Sequence, residues 1–541
     1  MAEAKVDSTQ KGILGWVERT GNRLPDPVFI FFYLIGILMV ISVLLALFGV
    51  TAEHPVQKNA DGTPLVIKSL SLLSADNIQK LWVEMPKTFT HFHPLGYVLV
   101  VMLGAGVAER SGFFAAGMRA AVRSTPVFLL TPVVALVAML GNHAADAGYV
   151  VLIPLAGILF AAAGRHPLAG IAAAFAGVSG GFSANLLPGQ LDALLFGITE
   201  EAVSASGLDS TWVMNIAGNW YFIAAMTVIY LPLIWFVTDK VIEPRLGKWS
   251  PGGDKSNGEL AAQFEGKDTE LSAGEKKGLK LAGLAALGIV GLWLFMTFGP
   301  GTPLIDEAAC PIDEMEAGLC SKQATLRPFY TSLVGGFMAL FLACGWVYGK
   351  VSGTIKNKQD LVDMMTGAMK DMGYYLVLSF AAAHFVAMFG WSNLGLISAV
   401  HGADAIQSTG LPLPIVLGLI IIFSAILNLF IGSASAKWAL LAPILVPMLM
   451  LLGFSPEAST AAYRVGDSAT NIITPLMVYF PLILIFAKRW QKDFGLGSLT
   501  ALMIPYSVWM LISGTALMII WVILGVPLGP DVSVAYTLPG Q

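Results

Sequence analysis

The chain has 541 residues, of which 56% are apolar and only 12% are Asp, Glu, Lys or Arg. That charged share, about half the usual value, is too small to cover a water-soluble surface of this size, and the mean hydropathy of +0.73 agrees. The net charge of −4 shows no basic excess, so nucleic acid is not an expected partner. Long uncharged runs instead predict an all-α polytopic membrane protein, because the strands of a membrane barrel give short alternating segments.

The first apolar run, 27–50, has no charged residue and is long enough to cross a hydrocarbon core about 30 Å thick as a helix. Its full length predicts a retained anchor rather than a cleaved signal peptide. Two other stretches, 126–163 and 412–453, are each about 40 residues long and do not fit a single crossing. The nine runs that predict single crossings are 27–50, 94–109, 167–187, 219–238, 279–300, 328–349, 372–400, 461–487 and 499–525.

Lys and Arg resist translocation, so loops that carry them are expected in the cytoplasm. These loops are the N-terminal segment 1–26 and the segments 110–123, 239–278, 350–371 and 488–493. Neither residue occurs in 188–218, in 401–411 or in the tail 526–541, so these three segments are predicted to lie outside. The N-terminus is therefore expected in the cytoplasm and the C-terminus in the periplasm.

The loop charges agree with this topology only if 126–163 returns to the cytoplasm and 412–453 returns to the outside. Two re-entrant helical hairpins satisfy that condition, and two complete crossings in each stretch satisfy it equally. The same count places 301–327 outside, where Cys310 and Cys320 can pair in an oxidising compartment. The loop charges do not decide between re-entrant hairpins and double crossings, and the sequence does not decide whether Cys310 and Cys320 pair.

An internal repeat relates two distant parts of the chain. VSGGFSANLLP at 178–188 matches VGDSATNIITP at 465–475, and GNHAADAGYVVLIPL at 141–155 resembles IGSASAKWALLAPIL at 431–445. By the loop charges, the first long apolar stretch starts inside and the second starts outside, so the two halves are predicted to be inverted. Inverted repeats with interrupted helices are the recurring design of secondary transporters, whose sites lie near the middle of the membrane.

The repeat predicts a first half at 27–238, which contains the hairpin 126–163, and a second half at 372–525, which contains the hairpin 412–453. A cytoplasmic segment precedes the first half at 1–26, and a periplasmic tail follows the second half at 526–541. The predicted connection between the halves consists of a cytoplasmic linker at 239–278, scaffold helices at 279–349 and a cytoplasmic loop at 350–371.

Backbone without helical hydrogen bonds is tolerated at membrane depth only inside protein or beside a wet cavity. The oxygen-bearing side chains of the repeated motifs predict a set of ligands for a coupling Na⁺: Asn142, Asp146, Ser183, Asn185, Ser433, Ser435, Asp467 and Asn471. His143 and Asp146 are also candidates for a proton relay, with helix capping as the alternative. Small residues can serve helix packing alone, but matching motifs in inverted halves favour a binding site.

Ionisable residues inside apolar runs are costly and mark functional candidates. Arg464 and Asp467 lie three residues apart on one helical face, so they either pair with each other or bind a carboxylate and a cation, respectively. Asp192 is expected at the outer mouth of the first motif, with simple solvation as the alternative. Trp438 either stacks on an aromatic substrate or anchors the chain at the membrane interface.

Several long segments resemble the aminobenzoyl-glutamate transporter family. In chain order they are GWVERTGNRLPDP, AGRHPLAG, TDKVIEPRLG, FGWSNLG and AYRVGDSATNIITP, so the resemblance runs nearly end to end. It implies a homodimer in the bacterial inner membrane, surrounded by lipid, with nine crossings and two re-entrant hairpins per subunit. The fold is also similar to that of sodium/dicarboxylate carriers, whose paired Ser-Asn-Thr motifs match the two Asn motifs only loosely.

The same resemblance implies transport of p-aminobenzoyl-glutamate and, in some members, export of sulfonamides. It implies no cofactor other than a coupling ion, either Na⁺ or H⁺ or both. A benzoyl-glutamate presents carboxylates for Arg464 and an aromatic ring for Trp438. The substrate-binding positions implied by the family are Asp192, Asn428, Trp438, Pro456, Arg464, Asp467 and Pro475, and Asn471 is added to them.

A cation-coupled carrier is therefore the favoured interpretation, and two alternatives stay open. A channel would give passive flux without exchange of substrate across the membrane. An intramembrane serine hydrolase would use Ser179, which lies in a G-x-S-x-G pattern, together with His384 of another crossing. The hydrolase is disfavoured because that pattern works on a strand-to-helix turn of a hydrolase sheet. The direction of transport, the coupling ion and the exact substrate are not determined by the sequence.

Overall fold

The computed structural model describes residues 25–59, 61–123, 125–144, 148–209, 212, 215–249, 271–309 and 324–538. Within these ranges the protein is almost entirely helical, and its only sheet is an antiparallel pair of strands, Thr51–Lys58 and Pro64–Lys68. The predicted α-helical membrane architecture is confirmed. Asp146, Cys310 and Cys320 lie outside the described residues, so what was predicted for them stays a prediction.

Eight helices among the described residues are long and apolar enough to cross a membrane. They are Pro27–Leu47, Ala75–Arg110, Trp220–Leu246, Ala273–Phe298, Arg327–Ser352, Gly373–Trp391, Ala434–Leu451 and Leu496–Leu524. The shorter apolar helices are Val127–His143, Gly148–Ala162, Pro167–Gly180 and Leu413–Asn428. The other helices are Phe113–Arg123, Gln190–Ser206, Lys358–Asp371, Leu394–Ser408, Pro456–Thr470 and Phe480–Trp490, with short 3₁₀ turns at Glu307–Ala309 and Ala324–Leu326.

Both halves contain the same order of elements. Each contains a two-armed hairpin, here called the first hairpin (130–162) and the second hairpin (413–451), with non-helical or irregular backbone at its tip. A broken helix follows: the first broken helix covers 167–206 with a break at 181–189, and the second covers 456–490 with a break at 471–479. A long helix completes each half. The predicted repeat therefore exists as a structural repeat with an interrupted helix in each copy.

Local sequence explains where the broken helices begin. Pro167 and Pro456 occupy first-turn positions, where the missing amide hydrogen has no helical partner. Ser455 caps the second broken helix, because its hydroxyl accepts from the Ala458 amide at 3.2 Å. After the first break, the amide of Gly189 donates to Asp192 Oδ2 at 2.7 Å, which fixes the start of Gln190–Ser206.

Five segments assigned from the sequence differ from the structure. The runs 167–187 and 461–487 are not continuous crossings, because each contains one of the breaks. The segment 188–218 is not simply a loop, since it contains the mostly buried helix Gln190–Ser206. The run 372–400 is divided between Gly373–Trp391 and Leu394–Ser408 by Asn393, whose positive φ of 60° interrupts the helix. The loop 350–371 contains the helix Lys358–Asp371.

The two halves interlock through their hairpins. Helix Ala434–Leu451 of the second hairpin packs on Gln190–Ser206 of the first broken helix, and the second arm of the first hairpin contacts Phe480–Trp490 of the second broken helix. All residues of Pro456–Thr470 are buried, although this helix carries Glu457, Arg464 and Asp467. Its charges therefore face protein rather than lipid, as expected for ionisable groups at membrane depth.

Close packing between the second hairpin and the second broken helix depends on Gly466. A Cβ atom at this position would lie 2.2 Å from the carbonyl oxygen of Ile421, a backbone atom that cannot rotate away. We expect Gly466→Ala to lower the free energy of unfolding by about 1–3 kcal/mol, the usual cost of overpacking. Thermal unfolding in detergent measures this. Gly335→Ala is the matched control, because no atom lies within 4 Å of the added methyl group. Equal melting temperatures for the two variants would contradict the packing argument.

Candidate functional site

One cavity of about 360 Å³ lies where the hairpins and the broken helices meet. Each element contributes to its wall: Asn142 from the first tip, Asn185 from the first break, Gly432 from the second tip and Asn471 from the second break. Asp192 adds a carboxylate. The two asparagines from the repeated motifs therefore line the same cavity. An apolar cavity of this size with a few converging polar groups is typical of a site for a small organic molecule.

Asp192 forms a buried ion pair that joins the two halves. Arg464 Nη1 of the second broken helix donates to Asp192 Oδ1 at 2.6 Å, and the side chains are 0% and 3% exposed. Arg464 Nε and Nη2 are buried with no hydrogen-bond partner. The structure therefore answers two sequence-based questions: Arg464 does not pair with Asp467, and Asp192 is not a solvated surface residue.

Asp467 has a different partner, Lys437 of the second hairpin. Lys437 Nζ donates to Asp467 Oδ1 and to Asn428 Oδ1, with both members of the ion pair almost completely buried. Asn428 Nδ2 in turn donates to Asn471 Oδ1 at 2.8 Å and to the Asp467 carbonyl at 2.7 Å. Asn428, Asp467 and Asn471 are thus brought together, and the ammonium group lies among their oxygens.

Trp438 does not line the cavity. Its ring stacks on Tyr463 with a centroid distance of 4.6 Å, and its indole nitrogen donates to Thr199 Oγ1 at 2.9 Å. Thr199 Oγ1 also lies 3.0 Å from Thr460 Oγ1, so the indole belongs to a contact between the two broken helices. In this conformation the ring is enclosed by protein and does not face the cavity, so its predicted stacking on a substrate stays a prediction.

The first half presents oxygens without partners. Ser183 Oγ and Asn185 Oδ1 are buried and accept no hydrogen bond, whereas the Ser183 amide donates to Ser468 Oγ at 2.8 Å. Asn142 Nδ2 donates to the Gly181 carbonyl at 3.2 Å, which ties the first tip to the first break. His143 Nε2 similarly contacts the Leu187 carbonyl at 3.1 Å.

The remaining predicted residues occupy structural positions around this centre. Ser433 caps helix Ala434–Leu451 by accepting from the Ala436 amide at 3.3 Å, and Ser435 Oγ lies 3.3 Å from Ser433 Oγ. Pro456 begins the second broken helix, and Pro475 lies within its break. Neither proline lines the cavity described above.

The pairing of Lys437 and the burial of Glu457 were not anticipated from the sequence. A signal for the first was present, since Lys437 is the only charged residue between 412 and 453. A lone charge in such a stretch requires a partner of opposite sign. Glu457 lies in the first turn of its helix, where an acidic residue is ordinarily favoured at a surface, so nothing local indicated that it is only 4% exposed.

The profile of the AbgT transporter family matches residues 12–536. The chain belongs to this family. It is 36% identical over 527 residues to the p-aminobenzoyl-glutamate transport protein of Escherichia coli (strain K12), covering 97% of each chain. The resemblance seen in the sequence is therefore confirmed, and the protein is a multi-pass membrane transporter of a bacterial family.

Two solved structures of AbgT-family transporters have the same fold. The YdaH transporter of Alcanivorax borkumensis, described as having an unusual topology, is 41% identical with a TM-score of 0.81, over 94% of this chain and 100% of that one. MtrF of Neisseria gonorrhoeae, described as illuminating a class of antimetabolite efflux pumps, is 40% identical with a TM-score of 0.85. The match covers 96% of this chain and 99% of that one.

Membership of the AbgT family excludes the serine hydrolase alternative, because the family and its characterised relatives are transporters and not enzymes. The geometry gives no support to it either. Ser179 is fully buried with its hydroxyl donating to Met477 Sδ at 3.2 Å, and the His384 ring lies 2.7 Å from the Phe380 carbonyl. No hydrogen bond joins Ser179 to His384 in the described part of the chain.

The buried pair of Arg464 and Asp192 allows a direct test of its role in folding. Asp192→Asn leaves the guanidinium uncompensated, and we expect it to cost about 3–5 kcal/mol of folding free energy. Asp371→Asn is the control, because its pair with Arg110 is exposed and such pairs contribute about 0–1 kcal/mol. Unfolding in detergent, followed by circular dichroism, measures both. A cost at Asp192 no larger than at Asp371 would show that the buried pair does not hold the halves together.

Proposed function

We propose that this AbgT-family protein is a Na⁺-coupled secondary transporter of p-aminobenzoyl-glutamate and related aromatic acids, and that it also exports sulfonamides. We further propose that it works as a homodimer in the lipid of the bacterial inner membrane, with a cytoplasmic N-terminus and a periplasmic C-terminus. The relative in Escherichia coli supports the first substrate class. The antimetabolite efflux described for the relative in Neisseria gonorrhoeae supports the second.

The observation that carries this proposal is the shared cavity. Both breaks and both hairpin tips reach it, so a molecule bound there contacts all four elements at once. Alternating access in transporters with inverted repeats exposes such a central site first on one side and then on the other. A ligand held between two halves can therefore stabilise one arrangement over the other, as coupled transport requires.

Arg464 supplies the recognition of a carboxylate. Only one of its nitrogens has a partner, and that partner, Asp192, lies in the cavity wall. The two free nitrogens, Nε and Nη2, form the edge of the guanidinium that binds a carboxylate with two parallel hydrogen bonds. A glutamate carboxylate that reached them would satisfy both buried donors. A sulfonamide has the aminobenzene ring but not the glutamate, so it would depend less on Arg464.

The first half has the chemistry to hold Na⁺. Ser183 and Asn185 offer oxygens that are buried and unpaired, and a buried unpaired oxygen calls for an ion, a water molecule or another explanation. Oxygen ligands suit hard cations, and backbone carbonyls of an interrupted helix commonly complete such sites. Ser183 and Asn185 would hold the ion in this proposal, next to the cavity wall formed by Asn142.

The Na⁺ assignment predicts a change in ion dependence. Ser183→Ala combined with Asn185→Ala removes both free oxygens, and we expect the Na⁺ concentration for half-maximal uptake by proteoliposomes to rise at least about tenfold, the effect of roughly 1.4 kcal/mol. Ser435→Ala in the second half is the matched control and should stay within about twofold. Sodium and pH gradients are imposed separately. Uptake driven fully by the pH gradient, with no Na⁺ effect in any variant, would exclude Na⁺ as the coupling ion.

The role of Arg464 predicts a change in substrate discrimination. Arg464→Gln together with Asp192→Asn neutralises both partners, which avoids leaving one charge unpaired. We expect affinity for p-aminobenzoyl-glutamate to fall about 10–100-fold through loss of a charge-assisted contact. The affinity for a sulfonamide should change less than about threefold, because a sulfonamide lacks the carboxylates.

Counter-flow measurements with labelled p-aminobenzoyl-glutamate and competing sulfonamide determine both affinities. Asp371→Asn provides the exposed-site control and should leave both affinities unchanged. Equal losses for the two ligands would contradict the assignment of the carboxylate to Arg464. Flux without counter-flow in the unmodified protein would support a channel instead of a carrier.

A further inference from the structure

The second half differs from the first in carrying its own buried cation. Lys437 Nζ contacts the carboxylate of Asp467 and the side-chain oxygen of Asn428, and the lysine side chain is 1% exposed. A carboxylate oxygen and an amide oxygen around a positive centre are also the groups that would bind a metal cation of the Na⁺ kind. The ammonium group of Lys437 thus occupies the position that such an ion would need.

The neighbouring oxygens are also engaged. Asn471 Oδ1 accepts from Asn428 Nδ2 at 2.8 Å, and Thr470 Oγ1 lies 2.9 Å from the same nitrogen. The hydroxyl of Tyr463 donates to the Ala434 carbonyl at 2.6 Å and approaches Asp467 Oδ1 at 3.4 Å. Asp467 Oδ1 and Asn471 Oδ1, which the sequence pattern predicted as metal ligands, therefore already have protein partners.

The first half has glycine at both corresponding positions. When the hairpins are aligned on Pro154 and Pro443, Lys437 corresponds to Gly148, and when the motifs are aligned on their asparagines, Asp467 corresponds to Gly181. A Cβ atom at Gly148 would lie 3.3 Å from Val178 Cγ1, and one at Gly181 would lie 2.6 Å from Met139 Cγ. The first half therefore lacks the equivalent pair of charges, and at Gly181 a larger side chain would force its neighbours to move.

We infer that Lys437 is a tethered cation that replaces a metal ion in the second half, so that each subunit binds Na⁺ only in the first half, at Ser183 and Asn185. This inference rests on the proposed Na⁺ coupling for the identity of the ion, but the asymmetry itself is a property of the two halves. Two observations are its complementary signs: the unpaired oxygens of the first half, and the engagement of Asp467 Oδ1, Asn428 Oδ1 and Asn471 Oδ1 in the second.

A tethered cation makes the two hairpins respond differently to Na⁺. In a half that binds a free ion, arrival of the ion can close the hairpin tip on the broken helix, and departure can release it. Lys437 cannot leave, so the arm Ala434–Leu451 stays attached to the second broken helix whatever the Na⁺ concentration. The first hairpin, held to its break by contacts of Asn142 and His143, is then the part of the subunit that responds to Na⁺.

Equilibrium binding of radioactive ²²Na⁺ to the purified full-length protein in detergent tests the inference. We expect Lys437→Met to bind one more Na⁺ per subunit than the unmodified protein, because it frees Asp467 and Asn428. Two controls should show no gain: Lys437→Arg, which keeps the charge, and Lys437→Met with Asp467→Asn, which removes the anionic ligand. The same number of ions in Lys437→Met and in the unmodified protein, with the variant monodisperse on size exclusion, would overturn the inference.

A second measurement covers the case in which Lys437→Met does not fold. Asp467→Asn then gives the answer, since the inference expects it to bind as many Na⁺ ions as the unmodified protein, and loss of one ion would overturn it. The test also separates this inference from the proposed function. No Na⁺ bound to the unmodified protein, with one gained in Lys437→Met, would refute Na⁺ coupling and support the tethered cation.

Discussion

The cost of burying charge away from water controls how the centre of this transporter is arranged. Asp192, Arg464, Lys437 and Asp467 are all almost fully buried, and they form two ion pairs with no net charge. A buried ion pair is not a strong source of stability, because the cost of dehydrating both groups offsets most of their attraction. Removing one member is nevertheless expensive. The pairs therefore specify which elements must meet more than they add to the folding free energy.

The two ion pairs connect different parts of the fold. Arg464 and Asp192 join the second broken helix to the distal part of the first, so this pair lies between the halves. Lys437 and Asp467 join elements within the second half. A transport movement that changes the relation of the halves must alter the contacts between them, whereas the contact within one half can persist. Arg464 is thus a candidate for exchanging its partner during transport, and Lys437 is not.

Beside the packing of the hairpins on the broken helices, several side-chain contacts between the halves are small and exchangeable. Tyr149 of the first hairpin stacks on Tyr479 of the second break with centroids 4.3 Å apart, and both rings line the cavity. The Ser183 amide donates to Ser468 Oγ at 2.8 Å. Single hydrogen bonds and one ring contact can be replaced at modest cost. Alternating access moves one packed unit against another, and it requires contacts that can be exchanged at low cost.

The sequence predicted the repeated motifs, the interrupted helices and four polar residues of the cavity wall, because these depend on local composition. The four residues are Asn142, Asn185, Asp192 and Asn471. The sequence did not predict the partners. Asp192 and Arg464 are separated by 272 residues, and the local alternative for Arg464, pairing with Asp467 one turn away, is not the pairing in the structure. Helix Gln190–Ser206 was missed for a related reason: its acidic residues made it resemble a loop, although burial against helices from both halves stabilises it.

Charge balance also relates the substrate to the coupling ion. p-Aminobenzoyl-glutamate carries two carboxylates, and both ion pairs at the centre are already neutral before it binds. Arg464 can donate hydrogen bonds to the substrate, but Asp192 has neutralised its charge. An unneutralised anion in a region of low dielectric constant is unfavourable. A cation at Ser183 and Asn185 lowers that cost without disturbing either pair. In the proposed mechanism, Na⁺ and substrate therefore favour each other's binding, and that mutual dependence is the thermodynamic content of coupling.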